Sequence, residues 1–247
     1  MRLRKSLAIG CVAWVLALAW DLTGWDLPVM GALGTEAGFA LRHNLWLEAV
    51  LHDTARQAAL GLLAAVAALS LPPLRRRWAP HLAVPWQALA GVLMCLLLAG
   101  LMKRYSTTSC PWDLQAFGGV ARYVSHWNWG ALDGGSGRCF PGGHASAAFA
   151  FWPVALAWSQ SPVERTRRLG RWMLWAVLAA GLVFGGVQTL RGAHYPSHTL
   201  WTAVLCWTVA VVMQAMTRGQ LLPLVGKQER AQRRKAQPRA AREEAAQ

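Results

Sequence analysis

The feature that most constrains this chain is a series of six stretches that contain no Asp, Glu, Lys or Arg. They cover residues 6–20, 57–74, 78–102, 139–163, 172–190 and 192–217. A helix needs about 20 mostly apolar residues to cross a bilayer, so these stretches predict membrane spans. The sequence therefore predicts an all-α, polytopic membrane protein, a bundle of six transmembrane helices over roughly 6–22, 56–73, 84–102, 144–160, 172–190 and 197–217.

The composition argues against a basic soluble protein that binds nucleic acid, which is the other class that a net charge of +14 suggests. Hydrophobic residues make up 55% of the chain, and the charges are separated from the apolar stretches. Such segregation is typical of membrane proteins, and the 15 tryptophans suit the lipid–water boundary. We expect a membrane environment and no nucleic-acid partner.

The distribution of basic residues predicts the orientation of the chain. If the N-terminus is inside, the inner segments 1–5, 73–83, 161–171 and 218–247 hold 18 of the 25 Lys and Arg residues. Cytoplasmic loops carry an excess of these residues, so both termini are predicted to be cytoplasmic. No small-residue cleavage site precedes Asp21, so the first span is interpreted as an uncleaved anchor in a bacterial inner membrane.

Two regions follow from this topology. Residues 1–217 are predicted to form one six-helix membrane domain, and residues 218–247 a basic cytoplasmic tail. The tail is polar and rich in Ala, Gln and Arg, which predicts disorder or a helix that lies on the membrane surface. The positive charge of the tail either reflects only the excess of Lys and Arg in cytoplasmic segments or attracts the anionic headgroups of lipids.

Three clusters of chemically capable residues lie at helix ends that the topology places on the outer side. The first is Lys103, followed by the segment Cys110-Pro-Trp-Asp113. The second is Pro141-Gly-Gly-His144, where the fourth span begins. The third is Arg191-Gly-Ala-His194, just before the sixth. Because all three lie near one membrane boundary, we expect them to converge on one pocket that faces outward.

The first property of these clusters is their capacity to bind an anion. Gly142 and Gly143 let the backbone approach a ligand closely at a helix start, where free N–H groups and the helix dipole favour phosphate. Lys103 and Arg191 add two full positive charges. Each residue alone has an ordinary explanation, as a turn or a side chain at the interface. Their joint occurrence at three outer helix ends favours a binding site.

The second property is the presence of imidazoles. His144 and His194 can serve as nucleophile and proton carrier near neutral pH. A metal is not expected, because His194 and His198 are the only close histidine pair in the outer segments and have no acidic third ligand nearby in the sequence. The sequence predicts no cofactor.

The order and spacing of these clusters resemble the type 2 phosphatidic acid phosphatase (PAP2) superfamily. The family pattern is Lys-x6-Arg-Pro, then Pro-Ser-Gly-His, then Ser-Arg-x5-His-x3-Asp, and the resemblance covers residues 84–217. The matching positions are Lys103, Pro111, Pro141, Gly143, His144 and His194.

The chain also departs from the family pattern, in the manner of a divergent bacterial branch. Cys110 replaces the Arg of the first motif, Gly142 replaces the Ser of the second, and His198 replaces the Asp of the third. Gln188 stands where the third motif has Arg. Arg191, one turn closer to His194 if the helix persists, is interpreted as a substitute phosphate ligand.

The resemblance implies a metal-independent lipid phosphatase. His194 would attack phosphorus, and His144 would protonate the leaving oxygen. Lys103, Arg191 and the backbone near Gly143 would hold the phosphoryl oxygens.

The catalytic role of His198 follows from its position in place of the family acid. It would orient His194 as a neutral partner, with Asp113 or Asp53 as alternative sources of a carboxylate.

The substrate and the reaction stay open at this point. Undecaprenyl pyrophosphate, phosphatidylglycerol phosphate, phosphatidate and lipid A phosphates all fit the class of lipid phosphate. A phosphohistidine can also pass its phosphate to a second lipid, which would make the protein a phosphotransferase. The alternative is a non-catalytic protein that binds or transports phospholipid. The oligomeric state is not indicated by the sequence.

The five cysteines predict one disulfide. Cys11, Cys95 and Cys206 lie inside predicted spans, whereas Cys110 and Cys139 are the only two in outer segments. The periplasmic side is oxidising, so this pair is expected to form a bridge that ties the first cluster to the second. The alternatives are two free thiols, or a Cys110 that merely replaces the family Arg.

Overall fold

The computed structural model describes residues 1–47, 55–79, 81–82, 84–128 and 130–216. The described chain is mostly helical, with a short hairpin of β1 (Gly34–Thr35) and β2 (Gly38–Phe39), in which Gly34 pairs with Phe39. The predicted tail, residues 218–247, lies outside the described residues. The helices are α1 Leu3–Thr23, α2 Asp26–Leu33, α3 Ala55–Ser70, α4 Pro72–Trp78, α5 Trp86–Tyr105, α6 Gly143–Phe149, α7 Trp152–Ser159, α8 Glu164–Leu190 and α9 Pro196–Met216.

Four of the described helices are long and apolar enough to cross a membrane, namely α1, α5, α8 and α9. The predicted all-α, polytopic character is therefore confirmed. The predicted number of six spans is not. The described part of α3 has 16 residues, and the fourth predicted span is divided between α6 and α7.

The division of the fourth span has a local cause. Helix α6 ends at Phe149, and Pro153 lies in the first turn of α7. Proline has no N–H to donate, and in a continuous helix its ring would clash with the carbonyl of Phe149, four residues earlier. The prediction of one uninterrupted helix over residues 144–160 was therefore wrong.

Glycines in α8 allow α6 and α9 to approach it closely. A Cβ atom at Gly181 would lie 2.0 Å from a ring carbon of Phe149 in α6. A Cβ atom at Gly185 would lie 2.3 Å from the side chain of Thr199 in α9. Small residues at such crossings are the usual way in which helices pack inside a membrane. The three helices thus form a tight unit, and it carries two of the three clusters.

The two ends of the bundle have different contents. At one end the Met1 ammonium donates to the carbonyl of Ser159 at 3.2 Å and to the hydroxyl of Ser159 at 2.8 Å. The side chain of Gln214 donates through Nε2 to the Met1 carbonyl at 2.9 Å. The basic segments 1–5 and 161–171 therefore lie together. At the other end, the Asp26 carboxylate accepts hydrogen bonds from the backbone N–H, at 3.1 Å, and the hydroxyl of Ser197. Since Ser197 is in the first turn of α9, this carboxylate also meets the positive end of the helix dipole.

Replacing Gly181 with Ala is expected to destabilise the bundle, because the new methyl group collides with the Phe149 ring. The free energy of unfolding should fall by about 1–3 kcal/mol. Gly186→Ala is the matched control, since nothing lies within 4 Å of a Cβ atom there. It should change stability by less than about 1 kcal/mol, and in the stabilising direction. Unfolding in mixed micelles measures both, and equal stability of the two variants would contradict the packing described.

Candidate active site

The three clusters lie together at one end of the bundle. Cys110 and Cys139 form a disulfide with a Cα–Cα distance of 5.2 Å, which confirms the predicted bridge. The backbone N–H of Trp112 donates to the Gly192 carbonyl at 2.9 Å and joins the first cluster to the third. The N–H of Gly142 donates to the His198 carbonyl at 3.2 Å and joins the second to the third.

The turn between α8 and α9 depends on one glycine. Gly192 has a φ of +75°, and a Cβ atom there would lie 2.3 Å from the Phe39 ring. Only glycine combines this backbone conformation with so close a neighbour. The turn then folds back on α8, where the Gln188 carbonyl accepts from the N–H groups of Ala193 at 2.8 Å and His194 at 3.3 Å. His194 is thereby held just ahead of α9.

His194 is buried and has close contacts on one side of its ring. Its Nδ1 lies 3.5 Å from His198 Nδ1 and 3.4 Å from Cys139 Sγ. In a pair of neutral imidazoles only one of two facing nitrogens carries the proton, so one ring donates and the other accepts. Because these contacts engage Nδ1, Nε2 is the ring nitrogen directed away from His198 and the disulfide.

The charge state of His194 suits a nucleophile. Burial lowers the pKa of His194 well below its usual value, and the electrostatic effects of Lys103 and His144 lower it further. The imidazole is therefore neutral at physiological pH, and in the tautomer with the proton on Nδ1 its lone pair is on Nε2.

Lys103, Gly143 and His144 lie around His194. The ring centroids of His144 and His194 are 6.2 Å apart. A Cβ atom at Gly143 would lie 3.7 Å from Lys103 Nζ, so the ammonium group reaches the start of α6. The structure thus brings together five of the six site residues that the sequence predicts, His198 included.

Arg191, the sixth, has a different environment. Helix α8 ends at Leu190, so the helix does not continue to His194. The Nε and Nη2 groups of Arg191 donate to the Arg42 carbonyl at 3.2 and 3.0 Å. The Arg42 guanidinium in turn lies 4.9 Å from the centre of the Trp112 ring. Arg191 therefore fixes the segment after β2 against the loop of the first cluster.

His198 is fully buried among aromatic rings, and sequence reasoning missed its most informative neighbours. The His126 ring centroid lies 5.8 Å from that of His198. His126 Nε2 lies 3.4 Å from Asp21 Oδ2, which also accepts hydrogen bonds at 2.7 Å from the indole N–H groups of Trp127 and Trp201. The Asp21 carboxylate is thus separated from His194 by two rings, those of His126 and His198. The signal in the sequence was weak, since His126 belongs to no motif.

Of the two carboxylates proposed from the sequence, Asp113 does not take this place. Asp113 accepts a hydrogen bond from the Ser136 hydroxyl at 3.0 Å, which engages it in the loop of the first cluster. Asp53 lies outside the described residues.

A model of the PAP2 superfamily matches residues 84–220, which is more than half of the chain and contains all three clusters. The chain belongs to the PAP2 superfamily. Its members are generally phosphatases that act on phosphate esters, so a phosphate-containing substrate follows from membership. Comparisons with curated proteins and with solved structures found no match.

One group of possible metal ligands lies at this PAP2 site among the described residues. The donor atoms of Cys110, Cys139 and His194 lie within 4.8 Å of one another. Metals bind the thiolate form of cysteine. Because the two sulfurs are joined in a disulfide, the group is not a metal site in the oxidised protein.

The disulfide predicts the number of free thiols. Protein made in an oxidising periplasm and unfolded without reductant should expose three, those of Cys11, Cys95 and Cys206. The same sample treated with reductant before unfolding should expose all five and serves as the control. Thiol titration measures both samples, and five free thiols without reductant would rule the bridge out.

Proposed function

We propose that the protein is a metal-independent membrane phosphatase that hydrolyses a phosphomonoester or pyrophosphate of a lipid. The observation that supports this most is the environment of His194. It is a buried, neutral imidazole whose Nδ1 contacts His198 at 3.5 Å, with His144 and Lys103 nearby in a PAP2 core.

The proposed reaction has two steps. Nε2 of His194 attacks phosphorus, the bond to the lipid oxygen breaks, and His144 gives that oxygen a proton. In the second step a water attacks phosphorus, the bond between phosphorus and Nε2 of His194 breaks, His144 takes up a proton of the water, and inorganic phosphate leaves. Dividing one difficult displacement between two steps is the general benefit of a covalent intermediate.

The transition state carries negative charge on the phosphoryl oxygens. Lys103 and the backbone N–H groups near Gly143 are proposed to hold these oxygens, together with Arg191. The two hydrogen bonds to the Arg42 carbonyl would fix the plane of the Arg191 guanidinium. Fixed donors in a site that excludes water stabilise such charge without reorganisation.

His198 is proposed to replace the acidic residue of the family as a neutral hydrogen-bond acceptor. When His194 bonds to phosphorus through Nε2, the proton stays on Nδ1 and the ring becomes positive. His198 Nδ1, 3.5 Å away, accepts that proton's hydrogen bond. Asp21, in contact with His126, supplies a more distant negative charge. The replacement of the acid by His198 is also the observation that favours the second candidate, a non-catalytic protein that binds phospholipid.

The proposed location is the bacterial inner membrane, with both termini in the cytoplasm and the site open to the periplasm. Support comes from the end of the bundle opposite His194, where the basic segments 1–5 and 161–171 meet. The His194 end of the bundle would then lie at the periplasmic boundary, where the site would take the headgroup of a lipid from the outer leaflet. Transfer of the phosphate to a second lipid would need the same phosphohistidine.

Removal of the nucleophile tests the function directly. His194→Ala should lower phosphate release from lipid phosphates by roughly 10³-fold or more, because the covalent step is lost. His81→Ala is the matched control, since the side chain of His81 is exposed and lies at the opposite end of the bundle. Release is measured on purified protein with several lipid phosphates. Substantial turnover by His194→Ala would overturn the assignment, and inactive wild-type protein would favour the non-catalytic candidate.

Two substitutions of His198 test its role as a neutral partner. The amide oxygen of Asn can occupy the place of His198 Nδ1, whereas Ala offers no acceptor. His198→Asn should therefore keep more of kcat than His198→Ala, with KM less affected than kcat. Steady-state kinetics of both variants, with unfolding midpoints as the control for folding, decide the matter. Equal and wild-type activity in both would show that another group orients His194.

The proposed orientation is tested by labelling. A reporter that is active only in the cytoplasm should be active when it is fused after Gln247. A cysteine introduced at Ser136 should react with a membrane-impermeant reagent added to the outer side of intact cells, with a cysteine at Ser161 as the inner control. The reverse pattern would overturn both the topology and the location.

A further inference from the structure

A second feature of the bundle lies far from the histidines. A groove of about 1270 Å³ runs between α1, α7, α8 and α9 at the end where the basic segments meet. Its walls are mainly apolar and include Ile9, Leu178 and Trp207. Its mouth is basic and includes Arg2, Lys5, Arg167 and Arg171.

The groove is separate from the proposed active site. Asp21, near the opposite end of α1, contacts His126 and Trp201 beside His198. At a rise of 1.5 Å per residue, Lys5 lies about 24 Å from Asp21 along α1. A lipid whose headgroup is bound at Lys5 therefore cannot present the same phosphate to His194.

We propose that this groove binds one anionic glycerophospholipid of the inner leaflet. Its phosphate contacts Arg2, Lys5 and Arg171, and its acyl chains lie against the apolar walls of α1 and α8. The proposal does not rest on the phosphatase activity.

The charges at the mouth favour an anionic occupant. Among the described residues, Glu164 is the acid beside these cations, and it pairs with Arg167 and, at 3.2 Å, with Arg171. Arg167 also donates to the Ser161 carbonyl at 3.1 Å, which holds it at the start of α8. Four cations against one acid leave the mouth positive, and the apolar walls behind it match the amphipathic form of a phospholipid.

Two other occupants fit this charge poorly. Residues 218–247 hold eight basic and three acidic residues, so the net charge of the protein's own tail has the same sign as that of the mouth. A second copy placed on the same face would bring the same cations together.

The test compares two lipids and two triple variants of the full-length protein in neutral detergent. The probes are dioctanoyl phosphatidylglycerol and dioctanoyl phosphatidylcholine, and native mass spectrometry measures the affinity of each. The groove variant carries Arg2→Gln, Lys5→Gln and Arg171→Gln. The control variant removes the same charge from exposed residues outside the groove, by the substitutions Arg4→Gln, Arg76→Gln and Arg168→Gln.

Wild-type protein and the control variant should bind phosphatidylglycerol in preference to phosphatidylcholine. The groove variant should bind phosphatidylglycerol roughly a hundredfold more weakly, at about fivefold for each cation lost. His194→Ala should bind it as wild type does, which separates this proposal from the proposed function. Wild-type affinity in the groove variant, equal losses in both triple variants, or equal binding of the two lipids by wild type would each overturn the proposal.

A further variant tests the apolar part of the groove without a change in charge. Ala203 lines the groove, and Ala203→Phe would fill the space that the acyl chains need. Phosphatidylglycerol binding should fall at least tenfold while the unfolding midpoint is kept. If this variant does not fold, Leu178→Gln, which places an amide on the same wall, is measured instead. Unchanged binding by the folded variant would show that the chains lie elsewhere and overturn the proposal.

Discussion

The geometry of the site depends on how closely helices can approach one another in an apolar environment. Lipid tails are as apolar as leucine, so helices in a membrane gain little from the hydrophobic effect and are held by close packing. Gly181 and Gly185 of α8 supply this packing against Phe149 in α6 and Thr199 in α9. Helix α6 begins at Gly143, next to Lys103, and α9 begins just after His194. The contacts in the middle of the bundle therefore set the distances between the candidate site residues at its end.

The parts of the protein that sequence reasoning predicted are those governed by local chemistry. Each of the six apolar stretches overlaps with at least one described helix, and the pair of cysteines predicted to lie in outer segments forms a bridge. The fourth span shows the limit of that reasoning, because the stretch from 139 to 163 has no charge and still contains a break. Pro153 was the available signal. The clash of its ring with the Phe149 carbonyl interrupts the helix even though the surrounding residues are apolar.

The parts that sequence reasoning missed depend on contacts between distant segments. His126 and Asp21 are more than a hundred positions apart, and nothing in either local sequence indicates that they meet beside His198. The contact of Arg191 with the Arg42 carbonyl is of the same kind. Such contacts follow from the way in which α1 and the segment after β2 fold over the ends of α8 and α9. Composition and spacing carry no information about that arrangement.

The bridge between Cys110 and Cys139 has a consequence for the life of the protein in the cell. The Cys139 sulfur of this bridge lies 3.4 Å from Nδ1 of His194, so oxidation of the two thiols changes the chemistry of the group beside that ring. Reducing compartments keep such thiols in the reduced form, whereas oxidising compartments allow them to form a disulfide. The chain therefore acquires this link between the first two clusters only where its thiols can be oxidised. Formation of the bridge thus acts as a checkpoint, because the redox state of the surroundings decides whether the two clusters are covalently joined.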